Sequence, residues 1–305
     1  MGGKHMETGM SRSRKAFLIA NNIFLGLVTI ICIVPIVNVL ATSLSHPKLV
    51  DAGRVFLWPV EPTLDAYVYV FHNTRFWESA LVTLKRLAVG VPLNMILIVL
   101  AAYPLSKRVS HFKARKYYSA FFVFTILFNG GLIPTYLVVV NTGLIDTIFA
   151  LVLPGAVGVF SVILVTNFFR AIPSEIEEAA YMDGAGHFSS LFRIYVPLST
   201  PVLATVLLSS VLNHWNSWFD GLIYMNKTSN YPLQSYLQTV LIATTQIKVE
   251  TGEAIDVQRL MASLQFNSRT LRASQIFISM IPILLVYPFL QRYFTTGIVL
   301  GSVKG

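Results

Sequence analysis

No charged residue interrupts the run TIFALVLPGAVGVFSVILVTNFF, which comprises residues Thr147–Phe169. A helix needs about 20 mostly apolar residues to cross the hydrocarbon core of a bilayer, and this run is long enough. A soluble monomer rarely exposes that much continuous apolar surface to water. The sequence therefore predicts a membrane-spanning helix here.

The composition of the whole chain agrees with this assignment. Over 305 residues, 54% are hydrophobic and 12% are charged, and the mean hydropathy is +0.64. Soluble domains carry about 25% charged residues. The balance excludes a disordered chain and a soluble two-domain enzyme. The single cysteine, Cys32, excludes an intrachain disulfide and a cysteine-based zinc site.

Further runs of spanning length occur along the chain, and we predict an all-α integral membrane protein with six transmembrane helices. The run nearest the N-terminus, Phe17–Leu40, does not end at a small-residue cleavage site, so we expect an anchor and not a removable signal peptide. Lys85 and Arg86 precede the run Leu87–Ser106, and we expect both side chains to snorkel toward the interface. The five further runs are Phe17–Leu40, Leu87–Ser106, Tyr117–Val140, Val196–Trp218 and Ser274–Tyr293.

Orientation follows from the distribution of lysine and arginine, which concentrate in cytoplasmic loops. With both termini on one side, that side holds the densest basic cluster in the chain. We therefore predict that both termini are cytoplasmic. Because the basic residues separate apolar runs and do not line one polar face, we expect no nucleic-acid partner. The cluster is Lys107, Arg108, Lys113, Arg115 and Lys116.

Several chemical motifs are absent from the sequence. There is no G-x-x-x-x-G-K-[ST] loop for a nucleoside triphosphate and no H-E-x-x-H zinc motif, and the six histidines are scattered. We expect no catalytic residue, no metal site and no cofactor bound by this chain. Two classes of function stay open from the residues alone: a transport subunit, and a structural or enzymatic subunit of another membrane complex. An enzyme would need paired carboxylates, a Ser/His pair or metal-spaced histidines.

The loop Ile172-Pro-Ser-Glu-Ile-Glu-Glu-Ala-Ala-Tyr-Met-Asp-Gly-Ala-Gly186 predicts a short helix with a signal at each end. Ser174 with Glu177 fits a capping box, and Gly184 fits a left-handed stop. A helix of about nine residues results, and an isolated helix so short is marginal in water. It is either a well-capped connector or a rigid element that fits a groove on a partner. Its small-residue face contains Ile176, Ala179, Ala180 and Asp183.

The same loop resembles the EAA loop of ABC importer permeases, whose pattern is E-A-A-x3-G-x9-I-x-L-P. The matching residues are Glu178, Ala179, Ala180, Gly184, Ile194 and Pro197, with Asp183 and Ala185 completing a D-G-A; Val196 stands where leucine is usual. Three other segments resemble the carbohydrate-uptake branch, and within it the polysaccharide- and lipoprotein-linked permeases whose relatives include alginate importer subunits. These are Asn129–Tyr136, His214–Asn216 and Gln291–Gly305.

The resemblance implies a maltose-type fold, the six-helix bundle of a type I ABC importer permease with a cytoplasmic coupling helix. It implies a permease core over residues 79–293, with the EAA loop at 174–197. Residues 1–78 would hold the N-terminus, the first helix and an outer loop, and 294–305 a cytoplasmic tail. The implied partners are a homologous second permease, two ATPase subunits that carry ATP and Mg, an extracytoplasmic solute-binding protein and an oligosaccharide. The implied location is the inner membrane of a bacterium.

A sugar could be contacted at the end of the fifth predicted span. Sugar sites combine aromatic platforms with amide and carboxylate hydrogen-bond partners. Asn213, Asn216 and Asp220 would share one helix face, with Trp215 and Trp218 on an adjacent strip. The alternative is an interfacial aromatic belt. The alginate resemblance makes a uronate-containing oligosaccharide plausible, and Asp220 is then expected to oppose its carboxylate.

Overall fold

The computed structural model describes residues 12–108, 110, 112–246 and 269–302. Parts of the predicted cytoplasmic terminus and tail, 1–11 and 303–305, lie outside the described residues. The described residues contain helices and no strand, apart from one isolated bridge between Ser45 and Pro62. The helices are α1 (Arg12–Ser43), α2 (Pro47–Asp51), α3 (Asp65–His72), α4 (Thr74–Ser106), α5 (Arg115–Leu127), α6 (Leu132–Asn141), α7 (Ile148–Val152), α8 (Val159–Arg170), α9 (Ser174–Met182), α10 (His187–Ser190), α11 (Val196–Leu198), α12 (Thr200–Asn216), α13 (Phe219–Tyr224), α14 (Leu233–Gln246) and α15 (Arg269–Ser302).

Within the described residues, three helices are long and apolar enough to cross a membrane: α1, α4 and the first half of α15. Three further pairs of consecutive helices are long and apolar enough when each pair is taken together, but each pair is bent at a short break. They are α5 with α6, the segment Ile148–Gly155 with α8, and the segment His187–Leu198 with α12. Counting each bent pair as one span gives up to six, in the order that the sequence predicts.

The third predicted span is not a continuous helix. α5 and α6 meet at an angle of 116°. Gly131 has φ +87°, a left-handed conformation that glycine adopts without strain. Its N–H donates to Asn129 Oδ1 at 2.8 Å, which stabilises the turn. The predicted third span, Tyr117–Val140, is therefore a sharply bent pair of helices.

The chain forms two compact units, of which the first comprises Met1–His72 and Gly252–Ile278. Ser45 organises the loop that follows α1. Its hydroxyl donates to Ala41 O at 2.6 Å and accepts from Val60 N at 3.0 Å, and its carbonyl accepts from Thr270 Oγ1 at 3.3 Å. The side chain is fully buried, so these bonds fix the loop against α1 and the start of α15.

The second unit, Asn73–Thr251 with Ser279–Gly305, contains the main apolar core. α4 is its central helix and packs against α8 and α12. Buried side chains of α4, α8 and α12 interlock there with those of the segment that leads into α12. They are Ile98, Val99, Ala102, Tyr103, Leu105, Val162, Val165, Phe169, Leu191, Tyr195, Val202, Leu203 and Val206.

Gly90 allows α4 and α12 to approach closely. A Cβ atom at this position would lie 2.6 Å from His214 Nε2 and 2.7 Å from Cε1 of the same ring. Atoms cannot approach so closely without displacing the imidazole. The absence of a side chain at Gly90 is therefore a packing requirement of this helix pair.

We expect Gly90→Ala to lower the stability of the purified protein by about 1–3 kcal/mol, because the added methyl group overpacks the α4–α12 contact. The control is Gly26→Ala in α1, where no described atom lies within 4 Å of the added Cβ. Thermal unfolding in detergent measures both variants. Equal midpoints for the two variants would show that the contact at Gly90 can relax.

Candidate functional site

A polar cavity of about 420 Å³ lies inside the second unit, and we call it the central cavity. Its walls come from α4, α7, α8, α12 and α13 and from the segment between α7 and α8. The polar and charged side chains that line it are Arg86, Asn94, Ser161, Ser210, Asn213, His214, Ser217, Asp220 and Tyr224. A cavity with this lining provides many hydrogen-bond partners within an otherwise apolar bundle.

A buried ion pair forms one end of this wall. Both guanidinium amino groups of Arg86 donate to Asp220, with Nη1 at 3.2 Å from Oδ1 and Nη2 bonded to Oδ2. Asp220 Oδ1 also accepts from Ser217 Oγ at 2.8 Å and from the N–H of Gly221 at 2.9 Å. The side chains are 4% and 21% exposed. The geometry is bidentate, the arrangement in which arginine binds carboxylates most strongly.

His214 extends the network from Arg86 to Asn94. Arg86 Nε donates to His214 Nδ1 at 3.1 Å, so a neutral imidazole carries its proton on Nε2. Nε2 then donates to the amide oxygen of Asn94 at 3.3 Å, and the amide nitrogen donates to the carbonyls of Gly90 and Ala156 at 3.0 and 3.2 Å. The chain of bonds thus connects α13, α12 and α4.

Arg86 corrects one expectation from the sequence. The side chain does not snorkel to the interface, because α4 begins at Thr74 and places Arg86 well inside the helix, 3% exposed. Its partner Asp220 lies 134 residues further along the chain. No local pattern in the sequence connects these two residues.

The predicted single face of Asn213, Asn216 and Asp220 is also wrong. α12 ends at Asn216, and Asp220 belongs to α13. Ser217 takes an extended conformation, and its hydroxyl bonds Asp220 in place of continuing the helix. Asn213 and Asp220 nevertheless both reach the central cavity, while Asn216 does not line it.

The two tryptophans lie away from that cavity. Trp215 is 7% exposed and borders a separate apolar cleft with Leu84, Leu212 and Pro282. Its indole N–H has no hydrogen-bond partner among the described residues. Trp218 is partly exposed and contacts Phe219 edge to face. The predicted strip of two neighbouring tryptophans beside the polar residues therefore does not form.

α9 is the nine-residue helix that the loop sequence predicts, and its C-terminal stop is confirmed. Gly184 has φ +81°, and the N–H groups of Gly184 and Ala185 donate to Tyr181 O and Ala180 O at 3.0 and 2.9 Å. The capping box is wrong. Pro173 occupies the N-cap position and Ser174 is already helical, so its hydroxyl accepts from Arg108 Nη2 at 3.4 Å.

Glu177 turns inward because stronger partners than the backbone are available. Its Oε1 accepts from Lys107 Nζ and, at 2.8 Å, from Tyr181 Oη; its Oε2 accepts from Tyr195 Oη at 2.7 Å. Lys107 Nζ also donates to Tyr195 Oη at 3.0 Å and lies 3.9 Å from the centre of the Tyr103 ring. We call these five residues the Lys107 cluster. The sequence signal that was available is the pairing of opposite charges in two loops predicted on the same side.

The charge state of this cluster follows from its bonds. Burial opposes ionisation of Glu177, but hydrogen bonds from Lys107, Tyr195 and Tyr181 outweigh it and hold the pKa of the carboxyl below its usual value. Because the folded-state pKa lies below the unfolded value of about 4.3, the stabilisation is present above that pH and is lost as the pH falls through the folded value. Burial, and then Glu177, raise the pKa of Tyr181, which keeps its proton and donates.

The residues of the EAA-like loop divide into two groups. Ala180 is buried, and Ile194 packs against the main core. The outward group consists of Glu178, Ala179, Met182 and Asp183, with Met182 88% exposed. Glu178 and Met182 also border a cavity of about 1060 Å³ between α9, α10 and the end of α4. Pro197 lies in α11, directly after a π-helical turn over Leu191–Tyr195.

Residues 71–300 match the model of a protein family described as the binding-protein-dependent transport system inner membrane component. The chain belongs to this family. It is therefore a membrane permease subunit and not an enzyme, which confirms the transport prediction over the structural or enzymatic alternative.

Similar proteins extend over nearly the whole chain. The polygalacturonan/rhamnogalacturonan transport system permease protein YtcP of Bacillus subtilis is 36% identical over 282 residues, 92% of this chain and 96% of that protein. Protein LplC of the same organism is 37% identical over 295 residues, 97% of each chain. A chain of the crystal structure of a bacterial ABC transporter involved in the import of the acidic polysaccharide alginate is 34% identical with a TM-score of 0.82, covering 93% of this chain and 99% of that one. The predicted helical type I permease fold is thereby confirmed.

We expect Arg86→Met and Asp220→Leu each to destabilise the permease by about 3–5 kcal/mol, because either change leaves an unpaired charge in the bundle. The double variant is expected to be more stable than either single variant. Lys85→Met, at an exposed neighbouring position, is the control. Thermal unfolding of the purified protein tests this, and single variants that melt with the control would contradict it.

Proposed function

We propose that this permease moves an acidic oligosaccharide through the central cavity, which opens alternately to the two sides of the membrane. ATP and Mg are held by two ATPase subunits, one of which contacts α9. A homologous second permease completes the path, and a solute-binding protein delivers the sugar from outside. Both termini face the cytoplasm.

The central cavity is the observation that carries this proposal. Sugar hydroxyl groups need donors and acceptors, and Asn213, Ser217 and Tyr224 offer both kinds. The cavity wall is charge-balanced, since Arg86 neutralises Asp220. We therefore revise the expectation that Asp220 repels a carboxylate. The Asp220 carboxylate already accepts hydrogen bonds from one cation, Arg86, and from two neutral donors, the Ser217 hydroxyl and the Gly221 N–H.

The proposed class of sugar comes from the similar proteins. One relative at 36% identity is named for polygalacturonan and rhamnogalacturonan, and the matched crystal structure at 34% for alginate. All three polymers contain uronic acids. Relatives named for neutral sugars, such as the arabinooligosaccharide permease AraQ, are 25% identical. Among the predicted aromatic platforms, Trp218 keeps an exposed surface for stacking, whereas burial of Trp215 favours a packing role.

The outward residues of α9 support the proposed ATPase contact. Glu177 and Ala180 hold the helix on one side, whereas Met182 on its outward side is 88% exposed. A short helix fixed at its base and bare on its outer face suits insertion into a cleft on a partner. Exposed apolar side chains along α5 and α6 provide a further surface, which we assign to the second permease and lipid.

We expect the assembled transporter to take up uronate oligosaccharides in preference to neutral ones of equal length. Asn213→Leu should lower this uptake about tenfold or more, since a polar contact to the sugar is lost and a hydrogen-bonding group on the sugar stays unpaired. Ser209→Leu, at an exposed position of α12 that does not line the central cavity, is the control. Uptake of labelled oligosaccharides into cells measures both. Equal uptake by Asn213→Leu and Ser209→Leu would contradict the proposed path.

We expect Gly184→Val to uncouple transport from ATP hydrolysis. Valine in the left-handed region costs about 1–3 kcal/mol locally, so the end of α9 shifts. Gly186→Val is a matched control, because Gly186 has φ −76° and no described atom near its Cβ position. Cargo-stimulated ATP hydrolysis and uptake by the reconstituted complex are measured. Normal stimulation in Gly184→Val would contradict the coupling role of α9.

A further inference from the structure

The Lys107 cluster joins three segments that are distant in sequence. Lys107 follows the C-terminal end of α4, Glu177 belongs to α9, and Tyr195 ends the π-helical turn that leads through α11 into α12. Lys107 Nζ contacts both partners directly, and the two partners contact each other through Tyr195 Oη and Glu177 Oε2 at 2.7 Å. The contacts form a closed triangle, so no segment can move alone without breaking two of its sides.

Burial makes these contacts costly to break. Lys107 is 7% exposed, and its ammonium lies between the aromatic rings of Tyr103 and Tyr195, 3.9 and 4.1 Å from their centres. A buried ammonium that loses its carboxylate partner retains the full penalty for having left water. The three segments are therefore expected to move as one body.

The end of α4 is held by additional bonds, which make it a firm anchor. Arg170 Nη2 donates to Leu105 O and Arg115 Nη1 to Lys107 O, both at 2.9 Å. These are the terminal carbonyl groups that a helix leaves without internal partners. Cations at this end also interact favourably with the helix dipole.

Two of the joined segments continue into the walls of the central cavity. α4 contributes Asn94 and Ile98, and α12 contributes Val206 and Ser210. Ile98 lies nine residues before Lys107, roughly 14 Å along the helix at 1.5 Å per residue. A displacement of α9 that carries the cluster with it therefore reaches the parts of the cavity wall that α4 and α12 form.

We propose that Lys107 is a positioning residue for transport: it locks α9 to α4 and to the start of the fifth span, so that movement of α9 reshapes the central cavity. This inference rests on the proposed coupling role of α9. It assigns a role in transport to a side chain outside the EAA-like motif.

The test compares Lys107→Met with Lys113→Met in the complex reconstituted with its ATPases, second permease and binding protein. Lys113 is an exposed lysine of the same loop. We expect the ratio of cargo-stimulated to basal ATP hydrolysis to fall at least about fivefold in Lys107→Met and to stay at the wild-type value in Lys113→Met. The exchange of Lys107→Glu with Glu177→Lys should recover part of the ratio, because the buried charges are paired again.

Tyr195→Phe keeps the aromatic ring and removes two hydrogen bonds, so it decides the outcome if Lys107→Met fails to assemble. A wild-type ratio in Lys107→Met, or in an assembled Tyr195→Phe, overturns the inference. Gly184→Val distinguishes failure of the Lys107 inference from failure of the proposed coupling role of α9. If Gly184→Val loses stimulation while the cluster variants keep it, α9 couples without Lys107; if all of them keep it, the coupling role of α9 fails as well.

Discussion

A charged side chain inside an apolar bundle must be paired, and α4 with its C-cap carries two such residues, Arg86 and Lys107. Each is buried, and each finds its carboxylate on a distant segment: Asp220 in α13 and Glu177 in α9. Pairing within a region of low dielectric is worth more than at a surface, and an unmatched partner is severely destabilising. The bonds that satisfy these two cations tie α9, α12 and α13 to α4, in addition to the apolar core.

The two pairs act at different levels of the permease. Arg86, with Asp220 and His214, shapes the polar wall of the central cavity. Lys107, with Glu177 and Tyr195, lies at the base of α9. α4 connects them through a single helix of 33 residues. A permease needs both a polar path within lipid and a mechanical connection from that path to its energy source, and we propose that α4 contributes to both.

Features that depend on neighbouring residues were predictable from the sequence. The length of α9 and the left-handed Gly184 follow from residues within one short loop, and the apolar runs follow from composition. Features that depend on distant partners were not. Glu177 looked like a capping residue until Lys107, 70 residues away, was brought beside it. Arg86 was predicted to snorkel to the interface because its partner Asp220 lies 134 residues further along the chain. The helical face predicted over Asn213–Asp220 ends at Ser217, whose extended backbone places its hydroxyl 2.8 Å from the Asp220 carboxylate.

The most direct measurement of the central claim is the accessibility of Asn213, which lines the central cavity. Asn213→Cys is introduced after replacement of Cys32, and a thiol reagent that cannot cross membranes is applied from either side of vesicles that hold the assembled complex. We expect the labelling to switch from one side to the other between the nucleotide-free and the ATP–vanadate-trapped states. Labelling from the same side at the same rate in both states, in a complex that hydrolyses ATP, would contradict it.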